Sequence, residues 1–199
     1  MIHAIQCKCG TLRGQLEGTG VHNRLICYCK DCRAFAHFLG KADEVLDEQG
    51  GTEIVQVAQP RLRFSQGVDK LAAMRLSETG MIRWYASCCN SPIGNTMADH
   101  KVSFIGLIHV ALDRNRMAQD FGTKIALLST DSALGDPKPA QRGLIGVIVR
   151  FIWILVTTRI SGRYKNSQLF NAKGEPRVVP LILDGGKKSS DVSNSADSL

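Results

Sequence analysis

The sequence predicts a mainly β protein of antiparallel sheets with an added C-terminal α-helix. Two patterns carry that prediction. Short apolar or alternating runs, broken by Gly, Asn and Pro, fill the first 110 residues. One long apolar stretch follows near the C-terminus. A third pattern, the clustering of all seven cysteines into three tight groups, predicts that metal knuckles pin the corners of the sheets.

The strands are expected in order at Ile2 to Cys7, Leu12 to Leu16 and Arg24 to Cys29, with glycine and cysteine knuckles between them. Glu53 to Val57 carries Ile54, Val55 and Val57. Arg61 to Phe64 places Leu62 and Phe64 on one face. Lys70 to Leu76, Met81 to Tyr85 and Val102 to Val110 complete the series. Residues 111–135 have no clear period, and Lys124 to Leu128 reads equally as a strand or one helical turn. Gly135-Asp136-Pro137-Lys138-Pro139 breaks the pattern, because each proline fixes φ and removes a donor. The expected organisation is a zinc-binding β domain at 1–135, a basic helical extension at 136–184 and a disordered tail at 185–199. The tail is mostly Gly, Ser, Lys and Asp, too polar to offset its ordering entropy.

Gln141 to Gly162 is expected to be helical, with a narrow stripe of Arg142, Gly146, Arg150 and Thr157 beside many aliphatic residues. The apolar part, 143–158, is shorter than the roughly 20 residues a membrane span needs, and it contains Arg150. A core or oligomer-contact helix is therefore expected, with attachment to a membrane surface as the alternative. The net charge of +7 is concentrated nearby: 137–174 holds seven basic residues and no acidic one. Such a segment is a solvated face or attracts nucleic acid, anionic lipid or an acidic partner. Nucleic acid is the weakest of these expectations.

An odd cysteine count argues against a closed disulfide framework, and Met1 to Gln6 is too short for a signal peptide. A reducing cytoplasm is the expected location, with thiols free or metal-bound. No phosphate loop, dinucleotide fingerprint or serine-nucleophile motif is present.

The groups are Cys7-Lys8-Cys9-Gly10, Cys27-Tyr28-Cys29-Lys30-Asp31-Cys32 and Cys88-Cys89. Thiolates two and three positions apart converge on one ion when the backbone turns tightly, and Gly10 permits such a turn. Thiolate-rich tetrahedral sites favour Zn²⁺, one ion or two here. The trio Cys27, Cys29 and Cys32 needs a fourth ligand from elsewhere. Without one, its ion keeps an open position, the condition for zinc catalysis. Lys30 and Arg33 would lower the thiol pKa values. Cys7 and Cys9 must be joined by a distant pair, and Cys88-Cys89 is the only one left. Adjacent cysteines are awkward co-ligands, so either could be a spectator.

In order and approximate separation, these motifs resemble those of the glutathione-dependent formaldehyde-activating enzyme family over the first 110 residues. That family carries Cys-x-Cys-Gly, then Cys-x-Cys-x-x-Cys, then an aromatic-Cys-x-x-Cys-Gly-Thr/Ser-Pro. Arg83-Trp84-Tyr85-Ala86-Ser87-Cys88-Cys89-Asn90-Ser91-Pro92 stands at the third motif. Ala86 replaces its first cysteine, Cys88 is out of register by two residues, and Asn90 replaces the glycine. Asn also tolerates a left-handed backbone. The resemblance implies a β-tent-like fold with two zinc sites: Cys7, Cys9 and Cys89 at a structural ion, and Cys27, Cys29 and Cys32 at a catalytic one. Cys88 is then the fourth structural ligand, or that site is incomplete. The implied reaction is a carbon–sulfur lyase type, similar to S-(hydroxymethyl)glutathione synthase, joining a small thiol such as glutathione to a small aldehyde. The alternative is a non-enzymatic zinc-stapled binding module whose contact surface is the basic helix.

Of five histidines none forms a His-x-x-x-His pair. His109 is expected in the core, and His37 is the one candidate proton carrier near the trio. Trp84 and Tyr85 are expected to be core residues. Arg24, Lys30 and Arg33 are the expected steering cations for a substrate carboxylate.

Overall fold

The computed structural model describes residues 1–183; the expected disordered tail lies outside them. The described chain is mainly β. It runs β1 (Ile2–Gln6), β2 (Arg13–Glu17), β3 (Asn23–Cys27), α1 (Lys30–Phe38), α2 (Ala42–Val45), β4 (Thr52–Ala58), β5 (Leu62–Gln66), β6 (Leu71–Arg75), β7 (Ile82–Ala86), β8 (Ser91–Thr96), β9 (Phe104–Ile108), α3 (Met117–Phe121), β10 (Ala126–Leu128), α4 (Leu144–Ile160) and β11 (Leu181–Ile182). One sheet has the order β1-β2-β5, the other β10-β3-β4-β9-β8-β7-β6-β11.

Strand periodicity assigns the two faces of the large sheet. Val55 and Val57, Leu71 and Ala73, Ile105 and Leu107 point toward the three-stranded sheet, where they meet Ile5, Leu16 and Leu62. The intervening Ile54, Met74 and Ile108 point the other way, onto the helices. Phe35 and Leu39 of α1 cover Met74 and Ile108. Val147 of α4 shares a cluster with Leu25, Ile54 and Ala126. A sheet covered on both faces tolerates strands with no polar side, and every residue of β8 and β9 is buried.

All eight expected strands are present to within two residues at each end, the last, Val102 to Val110, as Phe104–Ile108. Four points differ from expectation. No strand is expected at β8, which contains Pro92, Gly94 and Asn95. Pro92 is accommodated beside the irregularity where the β7–β8 register shifts, after Trp84. α1 was hidden inside the cysteine motif, although Cys32, Phe35, Ala36 and Leu39 are buried at helical spacing. The large sheet is mixed, since β10 runs parallel to β3 and β11 parallel to β6. This makes 126–128 a strand, settling the ambiguity there. Finally, α4 is not a core helix. Only Val147, Ile154 and Thr158 are buried, while its opposite side is solvent-exposed. No helix among the described residues is long and apolar enough to cross a membrane.

The chain beyond residue 135 returns to the same core. Arg142 bridges Leu127 through paired backbone bonds. Leu169 and Phe170 are buried, with Phe170 edge-on to Trp84 at 6.2 Å.

β8 and β9 approach closely because Gly94 has no side chain. A Cβ there would sit 2.7 Å from the Gly106 carbonyl oxygen. Gly94→Ala is expected to destabilise the fold by about 1–3 kcal/mol, read as a lower urea midpoint with an unchanged slope.

Candidate metal centres

The first knuckle is the turn between β1 and β2. The Cys7 N–H donates to the Leu12 carbonyl at 3.0 Å, and the Gly10 N–H donates back to the Cys7 carbonyl at 2.9 Å. Gly10 holds φ +73°, which makes the turn tight enough to aim both sulfurs at one point. The second knuckle is the β7–β8 turn. There Asn90 takes the left-handed conformation, φ 52°, expected of a glycine substitute. Ser91 couples the two turns. Its hydroxyl accepts from the Lys8 N–H at 2.9 Å and lies 3.1 Å from the Cys89 sulfur.

All four sulfurs of these knuckles converge. Cys7 and Cys9 are 3.5 Å apart, Cys7 and Cys88 3.8 Å, Cys9 and Cys88 3.4 Å, Cys88 and Cys89 3.9 Å. A tetrahedral ion with sulfur bonds of about 2.3 Å needs sulfurs about 3.8 Å apart. The residues therefore fit such an ion, and both Cys88 and Cys89 stand within reach of it. The whole set lies within 4.8 Å.

The second group joins the end of β3 to the start of α1. Cys29 caps α1, its sulfur accepting from the Cys32 N–H at 3.4 Å. Cys27, Cys29 and Cys32 have their sulfurs within 4.8 Å of one another, and no fourth His, Cys or carboxylate among the described residues joins them. Two clusters thus result, one of four sulfurs and one of three, and each could hold a metal ion.

The electrostatics of both clusters call for a cation. Sulfurs this close cannot all ionise unaided. Hydrogen bonds from Cys27, then Cys32, hold the Cys29 thiol down to about 2, with Arg83 adding a smaller push. Hydrogen bonds to Cys27 and Cys29, with burial, push Cys32 well up. In the four-sulfur cluster, the Thr11 hydroxyl and N–H lower Cys9 to about 6, while burial raises Cys88 to about 12. A divalent ion would satisfy all of these thiolates together.

Arg83 is a site residue that sequence reasoning passed over. It is buried beside the trio, 3.3 Å from the Asp31 carboxylate and over the Phe35 ring, and its Nε has no partner. The signal was a lone arginine in an otherwise apolar strand. The expected helpers are placed elsewhere. Lys30 and His37 are exposed on α1, and His37 lies about 140° around the helix from Cys32. Arg33 donates to the Ser132 carbonyl, and Arg24 is paired with Glu53 at 2.7 Å.

A cavity of about 540 Å³ lies between residues adjoining the two clusters. Lys8 and Ser91 border it from the four-sulfur side, and Ile26 and Gly51 from the trio's side. Lys41, Asp47, Glu53 and Arg114 line it with charges of both signs. His109 is buried as expected, yet it also borders this cavity. Burial, then Arg114, lowers its pKa, and its Nδ1 has no partner.

The model for a family of unknown function, DUF6151, matches residues 1–141, a span that holds every cysteine of both clusters. The chain belongs to that family. Among the solved structures similar to this chain is the crystal structure of a Rhodobacter sphaeroides protein, 15% identical, with a TM-score of 0.43. The match covers 61% of this chain and 97% of that one. No curated protein matches the sequence.

Elemental analysis of variants tests the partition into four and three. Cys7→Ser is expected to lose one metal equivalent and to lower Tm by about 5–10 °C, because that ion would tie the β1–β2 turn to the β7–β8 turn. Cys29→Ser is expected to lose the other equivalent with a smaller change in Tm.

Proposed function

We propose that this protein is a zinc-dependent carbon–sulfur lyase-like enzyme, similar to S-(hydroxymethyl)glutathione synthase, that adds a small thiol to a small aldehyde. The observation that carries this reading is the unequal sulfur count. The cluster of four is closed, as a structural zinc requires, and the cluster of three leaves one position for a substrate. Zinc is the ion that suits thiolate sets of this kind.

Cys27, Cys29 and Cys32 would hold the reactive ion. When bound, zinc would supply the positive charge that keeps a substrate thiol deprotonated near neutral pH. Arg83 adds a fixed, buried positive charge beside Cys29. In the reaction, the thiolate sulfur forms a bond to the carbonyl carbon and the carbonyl π pair moves to oxygen. That oxygen takes up the proton the thiol released, so the product is a hemithioacetal with no redox change. The cavity supports a peptide-like thiol such as glutathione. Arg114 suits a carboxylate and Asp47 an ammonium group, while Lys8 and Lys41 are paired with Glu44 on the same wall. His109, held neutral by burial, is positioned at the cavity wall to accept or return a proton.

One observation favours a second reading, a non-enzymatic zinc-stapled module: no cysteine lines the cavity. In that case the trio's ion would be inert toward added thiol.

The test is formation of S-hydroxymethylglutathione from glutathione and ¹³C-formaldehyde, followed by exchange NMR. Acceleration by the zinc-loaded protein is expected, falling to the uncatalysed rate in Cys29→Ser. Arg83→Lys is expected to retain zinc and lose roughly tenfold or more in rate. No acceleration by protein carrying both zinc ions would remove the enzymatic reading.

A further inference from the structure

We propose that α4 docks this protein on an anionic membrane surface. Its apolar outer side would lie at the acyl boundary, with its flanking cations among the headgroup phosphates. The inference is independent of the metal sites.

The first observation is the helix's outer side. Val147, Ile154 and Thr158 face the sheet, and Phe151 packs edge-on against Phe104 at 4.9 Å. On the opposite side, Ile145 is 79% exposed, Val149 61%, Ile152 54%, Trp153 58% and Ile160 83%. An ordinary solvated helix is charged there. A continuous aliphatic strip of this length with a tryptophan in it marks an interaction surface. The helix is about 25 Å long and has one side already packed on the protein, so it lies along a bilayer and does not cross it.

The second observation is charge, and it selects the occupant. A cavity of about 1100 Å³ flanks the N-terminal half of α4. Arg24, His22, Lys124, Arg142 and Arg150 line it, and no acidic residue does. Lys124, Arg142 and Arg150 form no ion pair among the described residues. Gly146 leaves room for the Arg150 guanidinium to lie back along the helix, on the flank between its packed and exposed sides. Arg159 and Arg163 continue the positive charge at the other end, where Arg159 stacks over Tyr164 at 5.0 Å. A second copy of the chain would bring the same acid-free, sevenfold positive segment against itself. Anionic phospholipid meets both demands at once: acyl chains for the aliphatic strip and phosphates for the cations. Residues 184–199 offer only three apolar side chains beyond glycine, Val192, Ala196 and Leu199, too few to cover the strip.

The experiment uses full-length protein, co-sedimented with vesicles of phosphatidylcholine alone or mixed with phosphatidylglycerol. Binding to the mixed vesicles is expected, at least about tenfold above that to phosphatidylcholine and weakened at about 1 M salt. Trp153 emission should shift to the blue on binding; the other tryptophan, Trp84, is already fully buried. Ile152→Asp is expected to reduce partitioning about tenfold or more. Arg142→Glu and Arg150→Glu should each reduce it about fivefold or more. These positions are exposed, so folding and metal content should not change, and circular dichroism and elemental analysis check this. Equal binding to both vesicle types, unmoved by the charge reversals, would overturn the anionic assignment. Protein that stays in the supernatant with every vesicle would overturn the proposal outright. If sedimentation then showed a dimer broken by Ile152→Asp, the strip would belong to a second copy.

Discussion

Mutual repulsion among crowded thiolates is the constraint on which this molecule is built. Seven sulfurs arrive from five places in the chain: the β1–β2 turn, the end of β3, the cap and first turn of α1, and the β7–β8 turn. Each cluster brings thiols closer than they could be if all were ionised and unaccompanied. A divalent ion would turn that repulsion into attraction. An ion on the four-sulfur cluster would tie the small sheet to the large one through the β1–β2 and β7–β8 turns. The trio fixes the start of α1 against the end of β3.

Under the proposed reading, the asymmetry between the clusters would separate architecture from chemistry. The closed cluster lies where two sheets meet, and Ser91 links its two loops, so its loss propagates into the fold. The trio is set in an apolar pocket with Leu25, Ile54, Ala126 and Val147. Low polarity around an incompletely covered ion strengthens whatever charge interaction it makes. Arg83 makes the same point from the protein side. A buried guanidinium is a costly group to hold, and it is held next to the sulfurs that carry negative charge.

Much of this was legible in the sequence because the relevant signals are local. The apolar Ile54, Val55 and Val57 named β4, and alternation of Leu62 and Phe64 named β5. Cysteine spacing named both knuckles, and Asn90 was identifiable as a residue able to replace glycine at φ > 0. The rest depends on tertiary placement. Pro92 and Gly94 look like turn residues until β8 is seen at the centre of a sheet, where the β7–β8 irregularity accommodates one and close strand approach demands the other. The adjacent Cys88 and Cys89 seemed too constrained to serve together, but the hairpin bend supplies the needed geometry. The aliphatic content of α4 suggested a core or oligomer-contact helix. Composition alone cannot tell a helix packed on all sides from one packed on a single side, and here only Val147, Ile154 and Thr158 settle inward.

The most direct measurement is X-ray absorption at the metal edge of native full-length protein, combined with elemental analysis. Two ions per chain are expected, with an average of more than three but fewer than four sulfurs each and a lighter atom completing the shell of the trio's ion. A single ion, or protein in which every thiol reacts freely with no metal bound, would contradict the organisation of the chain around two sulfur-bound centres.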